Sequence, residues 1–185
     1  WAGAMVLTQF LPSEFYKYAV EFDGDGKRDI FNSVPDALAA AARHLADKGW
    51  QRGGTWAIEV RAPASFDCVQ AEPSVRLPVG EWLKRGFVPV AKLAPAQLAE
   101  EASVLMPEGT HGPAFLTPNN YFVIKEYNFS DLYVLFVGNL SDRIGGGGGF
   151  ATPWSKDTQL RTTQVETMQR ELTRLGIYKD KIDGK

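Results

Sequence analysis

The stretch Glu21-Phe22-Asp23-Gly24-Asp25-Gly26-Lys27-Arg28-Asp29, running on through Ile30-Phe31-Asn32 to Ser33-Val34-Pro35-Asp36, decides how the chain is read. Oxygen-bearing side chains alternate along it, and its two glycines permit a tight turn. Calcium takes about six to eight hard oxygen ligands, so a turn that gathers several carboxylates at one point suits it. The calcium-loop pattern asks for acidic or amide residues at alternating places, then Gly, then a closing bidentate Glu. Glu21, Asp23, Asp25 and Gly26 fill the first four places, but Asn32 stands where the glutamate belongs. Asp36 is a replacement from the following helix, and Lys27 could add only its backbone carbonyl. A solvated Asp-Gly turn explains the same residues, with Asp36 merely capping its helix. The residues alone leave both readings open, and the missing glutamate makes any metal site a weak one.

Outward from this loop, Ser33 reads as the N-cap of the clearest helix, with Pro35 in its first turn and Asp36 at the capping-box position. Val34, Leu38, Ala41 and Leu45 share one face, and Gly49 ends the segment. Residues 55–90 read as short strands and loops with one helical turn around Trp82. Trp56-Ala57-Ile58-Glu59-Val60 nearly alternates, and prolines at 63, 73, 78 and 89 break any long helix. A small helix is expected from Pro95 to Ser103. A longer one is expected from Ser130 through Arg143, apolar on nearly every side and therefore buried. Gly145 to Gly149 is an unbroken glycine run that reads as a flexible tether and a boundary. Beyond it, Thr163-x-x-Glu166 forms a second capping box, opening a helix whose stripe is Val165, Met168, Leu172 and Leu175.

The 185 residues carry 20 basic and 22 acidic side chains, a net charge of −2, which gives no drive toward nucleic acid or anionic lipid. A hydrophobic content of 44% excludes a disordered chain. No apolar run approaches the roughly 20 residues that span a bilayer, so no membrane anchor is visible. The single cysteine, Cys68, excludes an internal disulfide, and with only His44 and His111 beside it a structural zinc site is disfavoured. Neither a Ser-His-Asp, a Cys-His nor a phosphate-loop pattern is present. The opening Trp1-Ala2-Gly3-Ala4-Met5 has no basic region and no signal-peptide pattern. It is taken as entry partway through a domain, the alternative being a trimmed N-terminus.

Gln9 lies in the apolar stretch Met5 to Pro12, where an amide must be hydrogen-bonded structurally or point into a wet cleft. Tyr127-Asn128 and Tyr133 similarly place aromatic rings and an amide around the start of the long apolar helix. Rings that stack on a sugar face, with amides for its hydroxyls, suit carbohydrate recognition. Core tyrosines and a helix capped by Ser130 account for the same residues.

Three segments in order carry a resemblance. They are Gly3-Ala4-Met5 with Gln9-Phe10-Leu11-Pro12-Ser13 and Tyr18-Ala19-Val20, then Asp23-Gly24-Asp25-Gly26 through Phe31, then Ser33 to Ala37 with Gly49-Trp50. Downstream, Tyr127-Asn128, Ser130, Tyr133 and Val137-Gly138 through Ile144 continue the same order. Together they resemble the lytic murein transglycosylase B family, and Gln169, Leu172, Gly176 and Asp183-Gly184 resemble the opening of a peptidoglycan-binding domain. The resemblance implies an α+β, mainly helical fold: a lysozyme-like core with a small β subdomain, here truncated at its N-terminus. Residues 1–144 would be a partial catalytic domain, 145–160 a glycine-rich linker and 161–185 the start of the peptidoglycan-binding domain.

The activity it implies is non-hydrolytic cleavage of the MurNAc–GlcNAc bond of peptidoglycan strands in the periplasm or cell envelope. One glutamic acid protonates the glycosidic oxygen and then serves as base while the muramyl C6 hydroxyl attacks C1. That differs from two-carboxylate glycoside hydrolysis. The family's glutamate precedes the Gly-Ala-Met segment, so no catalytic residue is assigned within this chain, which alone is expected to be inactive. By resemblance Gln9, Tyr127, Asn128 and Tyr133 contact substrate, and Glu21, Asp23, Asp25, Lys27 and Asp36 hold a weak structural calcium ion. Val6 replaces a usual glycine, Glu21 a usual aspartate, and Arg43-His44 an Asn-Tyr pair. A non-catalytic peptidoglycan-binding module and a calcium-stabilised structural domain are the alternatives.

Overall fold

The computed structural model describes residues 3–154 and 160–184, which belong to two compact units, Trp1–Trp154 and Ser155–Lys185. The first unit holds helices α1 (Pro12–Tyr18), α2 (Val34–Asp47), α3 (Val79–Lys84), α4 (Asn119–Tyr127) and α5 (Asp131–Ile144). Between α2 and α4 lie strands β1 (Ile58–Arg61), β2 (Leu77–Pro78), β3 (Val88–Pro89), β4 (Glu101–Leu105) and β5 (Ala114–Thr117). They form one antiparallel sheet in the order β2-β4-β5-β1-β3. The fold is α+β. Pro78 and Pro89 sit on the two edge strands, where a missing N–H breaks no ladder bond.

Three apolar clusters fix the unit. Sheet residues Ile58, Val60, Val104 and Leu116 pack with Val79, Trp82 and Phe87 around the expected helical turn. The fully buried Trp82 satisfies its indole N–H on the Ala102 carbonyl at 2.7 Å. A second cluster joins Phe10, Tyr18, Ile30, Ala37 and Ala40, tying α1 and α2 to the segment before them. A third joins Phe115 of β5 to Tyr121 and Ile124 of α4 and to Val134 and Leu135 of α5.

Several elements differ from the sequence reading. The segment 95–103 is not one helix: Pro95–Ala99 is a 3-10 turn, and Glu101–Leu105 is β4. Pairing with β5 gives those backbone groups partners that a short exposed helix could not, so tertiary context overrides local pattern. Helix α4 was not anticipated. In α2 the buried face is Asp36, Ala37, Ala40 and His44, while Val34 and Leu38 are exposed; an apolar count passes over two polar residues whose partners are remote. Helix α5 buries only Val134, Leu135 and Gly138, leaving Leu132 at 61% and Phe136 at 65% exposure. It is not enclosed on all sides.

The glycine run does not end the first unit. Phe150 and Trp154 pack against Phe115, with the Phe115 and Phe150 rings 4.9 Å apart. The Glu59 carboxylate accepts from the backbone N–H groups of Ala151 at 2.9 Å and Thr152 at 2.6 Å. The boundary expected at Gly145 therefore lies after Trp154.

In the second unit, α6 runs Thr162–Arg174 behind its N-cap Arg161, two residues earlier than the Thr163 capping box implied. Gln164 rather than Glu166 reaches back, accepting from Arg161 N at 2.8 Å.

Candidate functional site

The backbone first turns sharply at residues 5–10. Met5 N donates to Phe10 O at 2.9 Å and Gln9 N to Val6 O at 3.2 Å, closing a tight loop just before α1. Val6 and Gln9 take positive φ values of 47° and 52°. That region is costly for a β-branched valine, which explains why glycine suits position 6. The turn presents Gln9 outward, its amide donating to the Val6 carbonyl at 2.6 Å. Gln9 is thus not a buried amide; it stands at a rim.

That rim borders a cleft of about 620 Å³. Gln9, Tyr127, Asn128 and Tyr133 all line it, so the four residues carried by the resemblance share one groove although 124 positions separate the first from the last. Tyr127 ends α4, Asn128 caps it, and Tyr133 lies in the first turn of α5 behind its N-cap Ser130. The floor is apolar, from Ala41 and Leu45 of α2 with Ile124 and Val137. The sequence reading missed the two indoles, Trp50 and Trp56, that complete the walls. Trp50 was noted only within the Gly49-Trp50 pair; both flank the glycine-bearing turn 51–54, a signal for displayed rather than buried rings.

Each wall is pinned. The Tyr127 hydroxyl donates to the Thr8 carbonyl, tying α4 to the 5–10 turn. Burial pushes the Tyr127 phenol well above its ordinary value, with Tyr133 and Glu14 adding to the rise, so it remains a donor across the physiological range. Burial likewise raises Tyr133. The Trp56 indole N–H donates to Asp142 at 2.8 Å, and its ring lies over Gly138 of α5. Asn120 fixes the 51–54 turn by accepting from Gln51 N at 2.7 Å and donating to Gln51 O and Gly54 O. Behind the cleft, His44 is buried among Phe10, Tyr18 and Tyr127, its Nδ1 without a hydrogen-bond partner and its Nε2 3.9 Å from Glu14. Among the described residues no carboxylate lines the cleft. Such a groove can hold an uncharged, hydroxyl-rich ligand by ring faces and amides, but among the described residues it offers no carboxylic acid to protonate a leaving group.

The acidic loop forms a second candidate centre. Ligand oxygens of Glu21, Asp23 and Asp36 lie within 4.8 Å of one another. Gly24 and Gly26 adopt positive φ, which lets the backbone curl between them. Asp36 is fully buried and accepts from Phe22 N at 2.8 Å and Asp29 N at 2.9 Å, so it pins the loop rather than completing a capping box. Asp25 stands outside the cluster, with its carboxylate on Lys27 N at 2.8 Å. Three converging hard-oxygen donors fit a calcium ion.

In the second unit the buried Gln169 carboxamide accepts from Asp183 N at 3.1 Å and Gly184 N at 2.9 Å. Gln169 and Asp183-Gly184, distant in sequence, thus form one hydrogen-bonded unit.

Residues 1–142 match the family described as the transglycosylase SLT domain. The chain belongs to that family. It is 29% identical over 147 residues to the membrane-bound lytic murein transglycosylase B of Escherichia coli K12, covering 78% of this chain and 38% of that protein. Among solved structures, SltB3 of Pseudomonas aeruginosa in complex with NAG-NAM-pentapeptide matches 100% of this chain and 50% of its own, at 45% identity and a TM-score of 0.86. The Escherichia coli lytic transglycosylase Slt35 in complex with calcium matches 78% of this chain and 45% of its own, at 26% identity and a TM-score of 0.63. The chain therefore spans half or less of these relatives.

Proposed function

We propose that this chain forms the sugar-contacting wall of a peptidoglycan lytic transglycosylase acting in the periplasm. The observation that carries this reading is the convergence of Gln9, Tyr127, Asn128 and Tyr133 on one cleft beside Trp50 and Trp56. The rings would stack on the apolar faces of the saccharide, and the Gln9 and Asn128 amides would meet hydroxyl or N-acetyl groups. The Tyr127 hydroxyl, committed to Thr8, orients the wall and does not transfer a proton. Protonation of the glycosidic oxygen falls to a glutamic acid contributed by polypeptide outside these residues. An apolar surround keeps such an acid protonated near neutral pH by raising its pKa. The residues from 161 onward are read as the opening of a peptidoglycan-binding domain, organised by Gln169.

We further infer that Glu21, Asp23 and Asp36 hold a structural calcium ion, with the Lys27 carbonyl adding to the shell and Asp25 left outside it. When bound, the ion offsets the mutual repulsion of the acidic loop; no catalytic step passes through it.

The test compares this 185-residue chain with a longer form on purified sacculi. The longer form should release anhydro-muropeptides, and the short chain should bind peptidoglycan fragments without cleaving them. Anhydro products from the short chain would overturn the assignment of the acid. Failure of the short chain to bind any glycan would overturn the cleft.

A further inference from the structure

Trp56, one wall of the cleft, stands two residues ahead of Ile58, whose pairing with Leu116 opens the β1–β5 ladder, so the sheet does not fix its ring. Helix α5 and the chain that follows it do. The indole N–H donates to the Asp142 side chain at 2.8 Å, and the ring lies over Gly138. The Phe150 ring stands 6.5 Å from it, tilted by 53°. Three positions beyond Trp56, Glu59 gives one carboxylate oxygen to the Ala151 N–H at 2.9 Å and the other to the Thr152 N–H at 2.6 Å. Residues 56–59 and 142–152 are thus clasped by three hydrogen bonds and a ring pair.

The glycine run is what brings the chain back. Gly145 N donates to Ser141 O at 3.0 Å, Gly146 N to Arg143 O at 3.1 Å and Gly147 N to Asp142 O at 2.8 Å. Gly146 takes a φ of 90°, a reversal that a side chain would resist. Asp142 therefore holds the indole with its carboxylate and the returning chain with its carbonyl. Phe150 is anchored in turn on Phe115 at 4.9 Å and on Trp154 at 6.2 Å. The match to the transglycosylase SLT domain ends at residue 142, so this segment lies beyond it.

We propose that residues 145–154 are a strap that positions Trp56 for the saccharide, with Asp142, Phe150 and Glu59 as positioning residues. None of the three lines the cleft; each acts through the indole or through the strap. A loose ring must be ordered when ligand binds, which costs affinity, and the strap orders it beforehand. The inference rests on the cleft being the glycan site and adds that its affinity is set partly from outside the matched domain. The coupling is reciprocal: a ligand that needs the indole in place tightens the strap.

The experiment uses the 185-residue chain with NAG-NAM as probe. It reads affinity by calorimetry, the Trp56 indole N–H resonance (identified by its loss in Trp56→Phe) and hydrogen exchange at the Ala151 and Thr152 amides. Asp142→Ala should weaken binding about three- to tenfold, the loss of one hydrogen bond, and Asp142→Asn, which keeps an acceptor oxygen, should recover most of it. Phe150→Ala and Glu59→Gln should weaken binding in the same direction and move the indole resonance toward its position in Asp142→Ala. Glu59→Gln keeps its shape and guards against misfolding of Phe150→Ala. Saturating NAG-NAM should slow exchange at both amides by at least about twofold. A merely structural strap would lower the melting temperature in these variants and leave resonance and affinity unmoved. That result, or amide exchange indifferent to NAG-NAM, overturns the proposal while the sugar cleft stands. No binding by the unaltered chain overturns both.

Discussion

The ring of Trp56 occupies the space a side chain at position 138 would need: a Cβ built on Gly138 would lie 2.5 Å from the indole. One wall of the cleft is thereby set by the absence of an atom on α5. Gly138→Ala should gain up to about 1 kcal/mol of helix propensity and lose about 1–3 kcal/mol to overpacking. The net expectation is a lower melting temperature, a red-shifted tryptophan emission as the indole leaves Asp142, and weaker glycan binding. An unchanged emission spectrum would show that the ring adapts without leaving its place.

Asp36 offers a different test. Its carboxylate holds two backbone N–H groups of the acidic loop from a fully buried position. Asp36→Ala leaves both donors unpaired, so a loss of roughly 2–4 kcal/mol is expected in urea denaturation even with chelator present. Calcium should stabilise the unaltered chain by about 2.7 kcal/mol at a hundredfold excess over Kd. It should do little for Glu21→Gln combined with Asp23→Asn. Equal calcium stabilisation of both proteins would place the ion elsewhere.

His44 predicts a pH dependence. Burial holds its imidazole below the ordinary value of 6.5, outweighing the opposing pull of Glu14. The unfolded chain then takes up the proton more readily than the folded one as pH falls. The stability contributed by keeping His44 neutral is intact above about 6.5 and is lost as pH drops from there toward the folded value. Urea midpoints measured between pH 7.5 and 5.5 should fall toward the acid end. His44→Phe, which fits among Phe10, Tyr18 and Tyr127, should flatten that slope. A slope unaltered in His44→Phe would assign the effect to another group.

In the second unit, Gln169→Leu keeps the volume and removes the amide that receives Asp183 N and Gly184 N. Hydrogen exchange at those two amides should accelerate by at least about tenfold, while exchange within β5 stays unchanged. Protection retained at residue 184 would mean another acceptor replaces it.

Much of this was legible in the chain itself. Ser33 and Ser130 announced α2 and α5 because a cap acts on the three residues that follow it, and the prolines at 63, 73, 78 and 89 announced short strands and loops because a missing N–H is a local fact. The acidic loop was visible for the same reason: its carboxylates alternate within nine positions. Long-range order was not. Periodicity could not tell which face of α2 turns inward, since the partners that let Asp36 and His44 be buried come from the loop and from Phe10, Tyr18 and Tyr127. Nor could it turn 101–103 from helix into strand, because the deciding hydrogen bonds belong to β5.

The sequence by itself determined the caps, the glycine turns, the proline breaks and the inventory of rings and amides suited to a sugar, all effects that act over a few residues. Only the tertiary structure decided that Gln9 and Tyr133 face one cleft and that Trp50 and Trp56 complete it. Those relations depend on which surfaces meet across more than a hundred residues, and the burial that selects them is non-directional and leaves no mark in local spacing.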